Sequence, residues 1–146
     1  MSIKVEHYKN GQIKRLVILD KNGNRHNPDG PTVQAWYADG QEEYREYYLN
    51  GTLHNPDGPA VQRWYEDGQE ECRSYWAHGN LHNPDGPASQ AWYEDGQEEY
   101  RDYYLRGKEI TEAEFNRKRK KGTVLVTCNG KEVRISKQSA EAMNLI

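Results

Sequence analysis

The sequence has few of the aliphatic residues that build most protein cores. Leu, Ile, Val and Phe together account for 22 of 146 residues, and the mean hydropathy is −1.18. Values this low are typical of disordered chains. The net charge is only −3, however, and the chain carries 11 Tyr and 4 Trp, whose rings offer large surfaces for burial. We therefore expect an ordered protein with an aromatic rather than an aliphatic core.

Long apolar runs and paired cysteine motifs are also missing. No apolar stretch approaches the length of a membrane span, and no signal-peptide-like region follows Met1. Cys72 and Cys128 lie far apart without a Cys-x-x-Cys spacing, which argues against a disulfide or zinc framework. The sequence predicts a cytoplasmic protein with no membrane contact, metal or cofactor.

The chain does contain a hexapeptide that occurs three times. His-Asn-Pro-Asp-Gly-Pro begins at His26, His54 and His82, at intervals of 28 residues. A repeat of this length indicates tandem supersecondary units. Proline and glycine in these positions predict a turn in each copy, with glycine where φ can become positive. The predicted turn residues are Asn27, Pro28, Asp29, Gly30, Asn55, Pro56, Asp57, Gly58, Asn83, Pro84, Asp85 and Gly86.

Each repeat also contains an Asp-Gly pair between runs rich in Trp, Tyr and Val, which predicts a β-hairpin with a two-residue loop. These loops are Asp39-Gly40, Asp67-Gly68 and Asp95-Gly96. The expected pairs in the second repeat are Glu66 with Gln69, Tyr65 with Glu70, Trp64 with Glu71, Arg63 with Cys72 and Gln62 with Arg73. Alternation then places Trp64, Gln62, Glu71, Arg73 and Tyr75 on one face, and Tyr65, Val61, Glu70, Cys72 and Trp76 on the other.

Neither face is plainly apolar, so the sequence predicts a mainly β fold without a two-layer interior. We expect an elongated, twisted antiparallel sheet of tandem 28-residue hairpin repeats, held by ladders of aromatic, Arg and Glu side chains. Asn50-Gly51, His78-Gly79 and Arg106-Gly107 mark one further turn per repeat. The predicted divisions are an N-terminal capping half-repeat (1–25), three repeats (26–53, 54–81 and 82–110) and a C-terminal appendage (111–146).

Both ends of the chain differ from the repeats. In the N-terminal cap, Tyr8 to Gln12 take the place of a repeat hairpin tip, and Ile13–Leu19 is expected to be a strand. In the appendage, Thr111 and Glu114 form a capping box that predicts a helix over about 112–121. Strands at 123–128 and 131–135, joined by an Asn129-Gly130 turn, and a final helix from Ser136 to Leu145 complete the predicted helix–hairpin–helix.

The repeated phrases resemble a known family. Gly-x-Leu-His-Asn-x-Asp-Gly-Pro-Ala, followed by Trp-Tyr-x-Asp-Gly and Tyr-Tyr-Leu-x-Gly, is similar to the MORN-like repeats of bacterial and bacteriophage proteins, and the end of the array at 104–115 also resembles the close of such arrays. The resemblance covers about residues 7 to 115. It implies β-hairpin repeats, an origin in phage genomes or antitoxin-like proteins, and no enzymatic activity.

Side chains that suggest catalysis have simpler explanations. The repeated His and Asp of the hexapeptide could hold metals, but a side chain at a turn boundary can equally bond the neighbouring backbone. The carboxylates Glu43, Glu71 and Glu99 invite comparison with glycosidase pairs, although stacked hairpins favour a cross-strand network with Arg. Cys72 replaces a Tyr of the other copies. We expect that the protein is not an enzyme.

Charge gives the remaining functional signal. Residues 26–107 have a balance of −11 and both flanking segments one of +4. An acidic, aromatic repeat surface suits a basic protein partner and disfavours nucleic acid, although the basic run Arg117–Lys121 leaves nucleic acid open. The residues expected to contact the partner are Trp36, Trp64, Trp92, Tyr47, Tyr75, Tyr103, Glu42, Glu70, Glu98, Asp39, Asp67 and Asp95.

The leading hypothesis is a non-enzymatic repeat protein that inhibits or neutralises a macromolecule in phage–host conflict, in an anti-defence or antitoxin role. One alternative is binding of a small ligand or nucleotide by the aromatic ladder. Another is a structural protein that associates with itself through its sheet edges, so the oligomeric state stays open.

Overall fold

The structure, a computed structural model, describes residues 1–128 and 130–144. The chain divides into two compact units, residues 1–109 and 110–146. The architecture is mainly β, with one large antiparallel sheet and two short helices at the C-terminus. No helix among the described residues is long and apolar enough to cross a membrane.

Thirteen strands lie within residues 2–110, and nine of them form the large sheet. In chain order the strands are β1 (Ser2–His7), β2 (Ile13–Leu19), β3 (Val33–Trp36), β4 (Glu42–Glu46), β5 (Tyr48–Leu49), β6 (Thr52–Leu53), β7 (Val61–Trp64), β8 (Glu70–Ser74), β9 (Trp76–Ala77), β10 (Asn80–Leu81), β11 (Ser89–Trp92), β12 (Glu98–Leu105) and β13 (Lys108–Ile110). The large sheet has the order β1-β2-β3-β4-β7-β8-β11-β12-β13, and β5 pairs with β6 and β9 with β10 in separate two-stranded ladders. We refer to β3–β4, β7–β8 and β11–β12 as hairpins A, B and C.

The loops of these hairpins differ from the prediction. In hairpin B the Tyr65 N–H donates to Gln69 O and the Gly68 N–H donates to Tyr65 O, both at 2.9 Å. These bonds enclose a loop of three residues, 66–68. Within this loop Gly68 has a positive φ and Asp67 does not. A two-residue type I′ loop needs positive φ at both central positions, so the predicted two-residue loop is wrong.

A bulge beyond the loop restores the predicted register. Trp64 pairs with Glu70, whereas Arg63 pairs with Cys72 and Gln62 with Arg73, so Glu71 is the extra residue. The last two pairs are confirmed, and the three predicted pairs nearest the loop are wrong. The same shift occurs in hairpins A and C.

The bulge changes which carboxylate lies beside the tryptophan. Gln62 Nε2 donates to Glu70 Oε1 at 3.1 Å, and Arg73 Nη1 lies 3.4 Å from Glu70 Oε2. Glu70, with its counterparts Glu42 and Glu98, therefore shares the face of the Gln and Arg side chains. The prediction that Glu43, Glu71 and Glu99 occupy this face is wrong, because the alternation of side chains shifts by one at the bulge.

Two-residue turns do occur, between the short strands. Asn50 and Gly51 both have positive φ, at 51° and 80°, and the pairs His78-Gly79 and Arg106-Gly107 have nearly the same angles. These values fit type I′ turns, which match the twist of the flanking strands. The further turn predicted at these dipeptides is confirmed.

Apart from Tyr103, the buried hydrophobic residues of the first unit are Ala and Val. Thr32, Val33, Ala60 and Ala88 are fully buried, while the Trp rings of hairpins A, B and C are only half-buried. Ala60 lies where two strands approach it, since its N–H donates to Ser74 O and its C=O accepts from the Tyr47 N–H. The expectation of an aromatic core is wrong here, because backbone on both sides of these positions leaves room only for a small side chain.

The second unit follows most of its prediction. Helix α1 (Glu112–Lys121) is capped by Thr111, whose hydroxyl accepts from the Glu114 N–H, and strands β14 (Thr123–Cys128) and β15 (Lys131–Ser136) form the hairpin. Helix α2 (Lys137–Ala142) begins after Ser136 as predicted but ends three residues early, with Asn144 at a φ of 55°. Asn129 of the predicted turn and Leu145 of the predicted helix lie outside the described residues.

Candidate interaction surfaces

The Asn-Pro-Asp-Gly-Pro loops are rigid turns held by their asparagine. Asn55 Oδ1 accepts from the Asp57 N–H at 3.1 Å, and Asn55 Nδ2 donates to Pro59 O at 2.9 Å. Asn27 and Asn83 make the same two contacts. The predicted turns are confirmed, but their glycines do not have positive φ. The asparagine amide, rather than glycine, thus closes the loop.

The repeated histidines cap the type I′ turns. His54 Nδ1 accepts from the His78 N–H at 3.1 Å, and His26 and His82 accept in the same way from Asn50 and Arg106. Each of these histidines satisfies the backbone of a residue with positive φ, which accounts for its place in the repeat. Among the described residues no group of three or more His, Cys, Asp or Glu is arranged to hold a metal ion.

The tryptophans form a ladder with arginines from the preceding hairpin. The Arg45 guanidinium carbon lies 4.8 Å from the centre of the Trp64 ring, and that of Arg73 lies 5.0 Å from the Trp92 ring. Both distances are within the range of a cation–π contact. One face of these two rings is therefore already covered by a side chain of the protein.

The glutamates of the same ladder are also engaged. Glu42, Glu70 and Glu98 each form an ion pair with the arginine three residues later, and each accepts from a glutamine of the same hairpin. In hairpin C, the hydrogen bond from Arg101 lowers the pKa of the Glu98 carboxyl. The negative charge of these residues is thus largely compensated within the sheet.

Three tyrosines, Tyr8, Tyr37 and Tyr65, each link their own hairpin to the next one. The hydroxyl of Tyr37 donates to Trp64 O at 2.7 Å, that of Tyr65 to Trp92 O at 2.9 Å, and that of Tyr8 to Trp36 O at 2.9 Å. We did not predict this contact from the sequence. Its signal was the identical Trp-Tyr pair at intervals of 28 residues, since a group that recurs at a fixed spacing can bond its own neighbour in the array.

Each hairpin tip carries an exposed aspartate that forms no ion pair within the part of the chain that the structure describes. Asp39, Asp67 and Asp95 are exposed, and the Oδ1 atom of each accepts from the backbone N–H two residues later, at 2.9 Å. Successive tips contact each other: a Cβ added at Gly68 would lie 3.3 Å from Gln41 Oε1, and one added at Gly96 would lie 3.3 Å from Gln69 Oε1. The tips therefore form one row of carboxylates, which we call the tip row.

Two grooves lie between successive Asn-Pro-Asp-Gly-Pro loops. The groove between the second and third loops has a volume of about 710 Å³ and is lined by Arg73, Tyr75, Trp76 and Gln90 as well as by the loops. The groove between the first and second loops has about 650 Å³ and is lined by Tyr47 and Gln62 in equivalent places. Of the three predicted contact tyrosines, Tyr47 and Tyr75 thus line grooves, whereas Tyr103 is buried with 7% exposure.

The cysteine that replaces a repeated tyrosine is poorly suited to nucleophilic chemistry. Burial raises the pKa of the Cys72 thiol, and the nearby carboxylate of Glu71 raises it further. A raised pKa leaves less of the reactive thiolate near neutral pH. The geometry of this side chain supports packing within the sheet.

Comparisons with known proteins return no match: no family model, no curated protein and no solved structure matches the chain.

Proposed function

We propose that residues 26–110 are a tandem array of 28-residue MORN-like hairpin repeats, and that the protein acts without enzymatic chemistry by binding a basic protein partner through the tip row. On this proposal, binding inhibits or neutralises the partner, and the resemblance to phage and antitoxin-like repeats favours a role in phage–host conflict. The single observation that carries the proposal is the alignment of exposed, uncompensated carboxylates at successive hairpin tips.

The charge of the tip row supports a basic partner. The tips themselves, residues 37–41, 65–69 and 93–97, contain only acidic charges, with no Lys or Arg. Equivalent residues of adjacent hairpins are separated by two strand spacings, roughly 10 Å, which is close to the screening length in physiological salt. The fields of neighbouring tips therefore add, and a basic surface that spans two or three tips would be attracted more strongly than one that meets a single tip.

The proposal assigns the contact to the aspartates and not to the glutamates of the ladder. Glu42, Glu70 and Glu98 already have arginine partners, so a ligand would have to compete with an internal ion pair. Asp39, Asp67 and Asp95 keep their charge exposed, and Glu66 and Glu94 lie beside them in the same tips. A nucleic acid backbone is disfavoured on this row for the same reason that a basic protein is favoured.

The test is capture from a bacterial lysate with a variant that loses charge but keeps its turns. The triple variant Asp39→Asn, Asp67→Asn, Asp95→Asn retains the Oδ1 acceptor that holds each tip. The matched control, Glu43→Gln, Glu71→Gln, Glu99→Gln, removes the same charge near the tips from residues outside the tip row. We expect one stoichiometric basic protein to be retained by the wild type and the control, released by high salt, and lost with the aspartate variant. Equal retention by all three forms, or no stoichiometric protein at all, would overturn the proposal.

A second candidate function rests on the grooves. Their volumes lie within the range of small-molecule sites, roughly 300–1,000 Å³, and the groove between the second and third loops offers Tyr75 and Trp76 for stacking. On this alternative the protein sequesters a small ligand such as a nucleotide. Saturable quenching of tryptophan fluorescence by a nucleotide, lost in Tyr75→Ala and kept in Tyr93→Ala, would support it. A flat titration with all common nucleotides would reject it.

A further inference from the structure

The N-terminal edge of the large sheet is open. Strand β1 is the first strand of the sheet and pairs with β2 alone among the described residues. All six of its residues are exposed, so one row of backbone N–H and C=O groups faces solvent along its whole length. An edge of this length is a template for pairing with another strand, and proteins usually protect such edges by shortening or twisting them, or with charge.

The side chains of this edge are unusually apolar. Ile3 is 62% exposed and Val5 is 40% exposed. Their cross-strand partners are Ile18 and Leu16, so four aliphatic side chains lie together on one face at the edge. This cluster is therefore an exposed hydrophobic patch at the edge of the sheet.

We infer that β1 pairs antiparallel with β1 of a second copy of the chain, which makes one continuous sheet across a two-fold dimer. This inference goes beyond the proposed function and does not depend on it. A two-fold contact is self-complementary, and one of the registers open to β1 also pairs opposite charges.

The backbone limits the registers that a two-fold pair can use. Successive residues of a strand direct their N–H and C=O groups to opposite sides, so residues of like parity must face each other across the new ladder. Among the allowed registers, centring the pair on Lys4 or on Glu6 places two like charges directly opposite, and centring it on Ile3 faces Lys4 with Ser2 and forms no ion pair. Centring it on Val5 instead places Lys4 of each copy opposite Glu6 of the other and brings the two Val5 side chains together. Opposite charges in facing positions stabilise a sheet, and like charges destabilise it.

Glu6 is available for this exchange. Its present partner, Arg15 of the same copy, lies at 3.6 Å, and the Glu6 side chain is 59% exposed. An ion pair this exposed contributes little to stability, so a second cation from the other copy can share or replace it. In the register centred on Val5, the dimer therefore buries the two Val5 side chains and forms two intermolecular ion pairs between Lys4 and Glu6.

The test measures molecular mass by sedimentation over a wide range of concentration. We expect a monomer–dimer equilibrium in the wild type. Lys4→Glu should weaken the dimer about tenfold or more, because it places like charges opposite at two positions. Glu6→Lys should weaken it similarly, and the double variant Lys4→Glu, Glu6→Lys should restore the affinity. Lys21→Glu is the control for Lys4→Glu: it makes the same change of net charge in the turn after β2, away from the edge. It should leave the affinity of the dimer unchanged.

Val5→Lys is a second variant that should break the dimer, because it places two cations opposite each other at the centre of the contact. Position 5 is exposed in a single copy, so the lysine can reach solvent there. We expect Val5→Lys to give a monomer whose unfolding transition matches that of the wild type at concentrations where the wild type is also monomeric. A wild type that stays monomeric overturns the inference, as does a polymer that grows without limit, which indicates a head-to-tail contact. Failure of the double variant to recover affinity beyond that of Glu6→Lys overturns the register. None of these outcomes bears on capture through the tip row.

Discussion

Hairpins B and C have the same eight residues at their tips, Trp-Tyr-Glu-Asp-Gly-Gln-Glu-Glu, but they differ in what covers them. In hairpin B, Arg73 stacks on the Trp92 ring of the next hairpin and Tyr65 bonds to Trp92 O. In hairpin C, Arg101 instead binds Glu98 through two hydrogen bonds of 2.6 and 2.8 Å, and Tyr93 is 51% exposed. Identical local sequence therefore gives a different environment when the next hairpin is missing.

The difference follows from the end of the sheet. Strand β13 has three residues and joins β12 through a two-residue turn, so it covers only the last part of β12. The first part of β12 and the tip of hairpin C are left open. Much of the stability of each hairpin should then come from contacts with its neighbour, which add to the intrinsic stability of the hairpin itself.

The largest effect should come from the ring that joins the two hairpins. Trp92→Ala removes the surface on which Arg73 stacks, and we expect it to lower the free energy of unfolding by about 2 kcal/mol or more. Tyr93→Ala changes the next residue, whose side chain is exposed, and should change stability by less than about 0.5 kcal/mol. Urea unfolding of both variants measures the contrast. Similar losses for the two would mean that contact between hairpins is not the source of stability.

A smaller effect is expected for the arginines. Arg73→Ala loses the contact with Trp92 and the hydrogen bonds to Gln90 at 3.1 and 3.3 Å, which should lower the free energy of unfolding by about 1.5 kcal/mol. Arg101→Ala loses an exposed pair with Glu98, and its effect should be clearly smaller. The same urea experiment compares them, and a larger loss for Arg101→Ala would contradict the comparison.

The sequence was sufficient for features that depend on local chemistry. Strand β2, helix α1 with its Thr111 cap and the Asn-Pro-Asp-Gly turns all follow from residues within a few positions of each other. The register near the hairpin tips did not, because Asp67-Gly68 fits both a two-residue and a three-residue loop, and the Glu71 bulge that compensates is invisible to simple alternation. The predicted register left Glu70 outside the ladder, whereas the observed one places it there, which changes which carboxylates are candidates for binding.

Contacts between repeats were the hardest to foresee. Whether Tyr37 is exposed or bonded to Trp64 O depends on a strand 27 residues away. Burial of Tyr103 likewise could not be read from its place in the repeat, since Tyr47 and Tyr75 occupy the same place and are only half-buried. Position in the array, and not residue type, decides these cases.

The tyrosine bond gives the next contrast in size. Tyr37→Phe removes the hydroxyl that donates to Trp64 O at 2.7 Å and should lower the free energy of unfolding by about 1 kcal/mol. Tyr93→Phe makes the same chemical change in hairpin C, where that neighbour is missing, and should leave stability unaltered. Thermal unfolding of the pair is the measurement. A loss for Tyr93→Phe as large as for Tyr37→Phe would show that the hydroxyl acts within its own hairpin.

The smallest expected difference is in how the free energy of unfolding of the wild type and of Tyr37→Phe changes at alkaline pH. Burial raises the pKa of the Tyr37 phenol, and the carboxylates of Glu43 and Glu71 raise it further. The unfolded chain therefore releases this proton at a lower pH than the folded protein does, and the neutral phenol stabilises the fold fully below its ordinary pKa of about 10. As pH rises above that value, this contribution is lost, so the free energy of unfolding should fall. Tyr37→Phe has no such proton and should lose less stability over the same range. If the free energy of unfolding falls equally with pH in the wild type and in Tyr37→Phe, then the pKa of the Tyr37 phenol is not raised by folding.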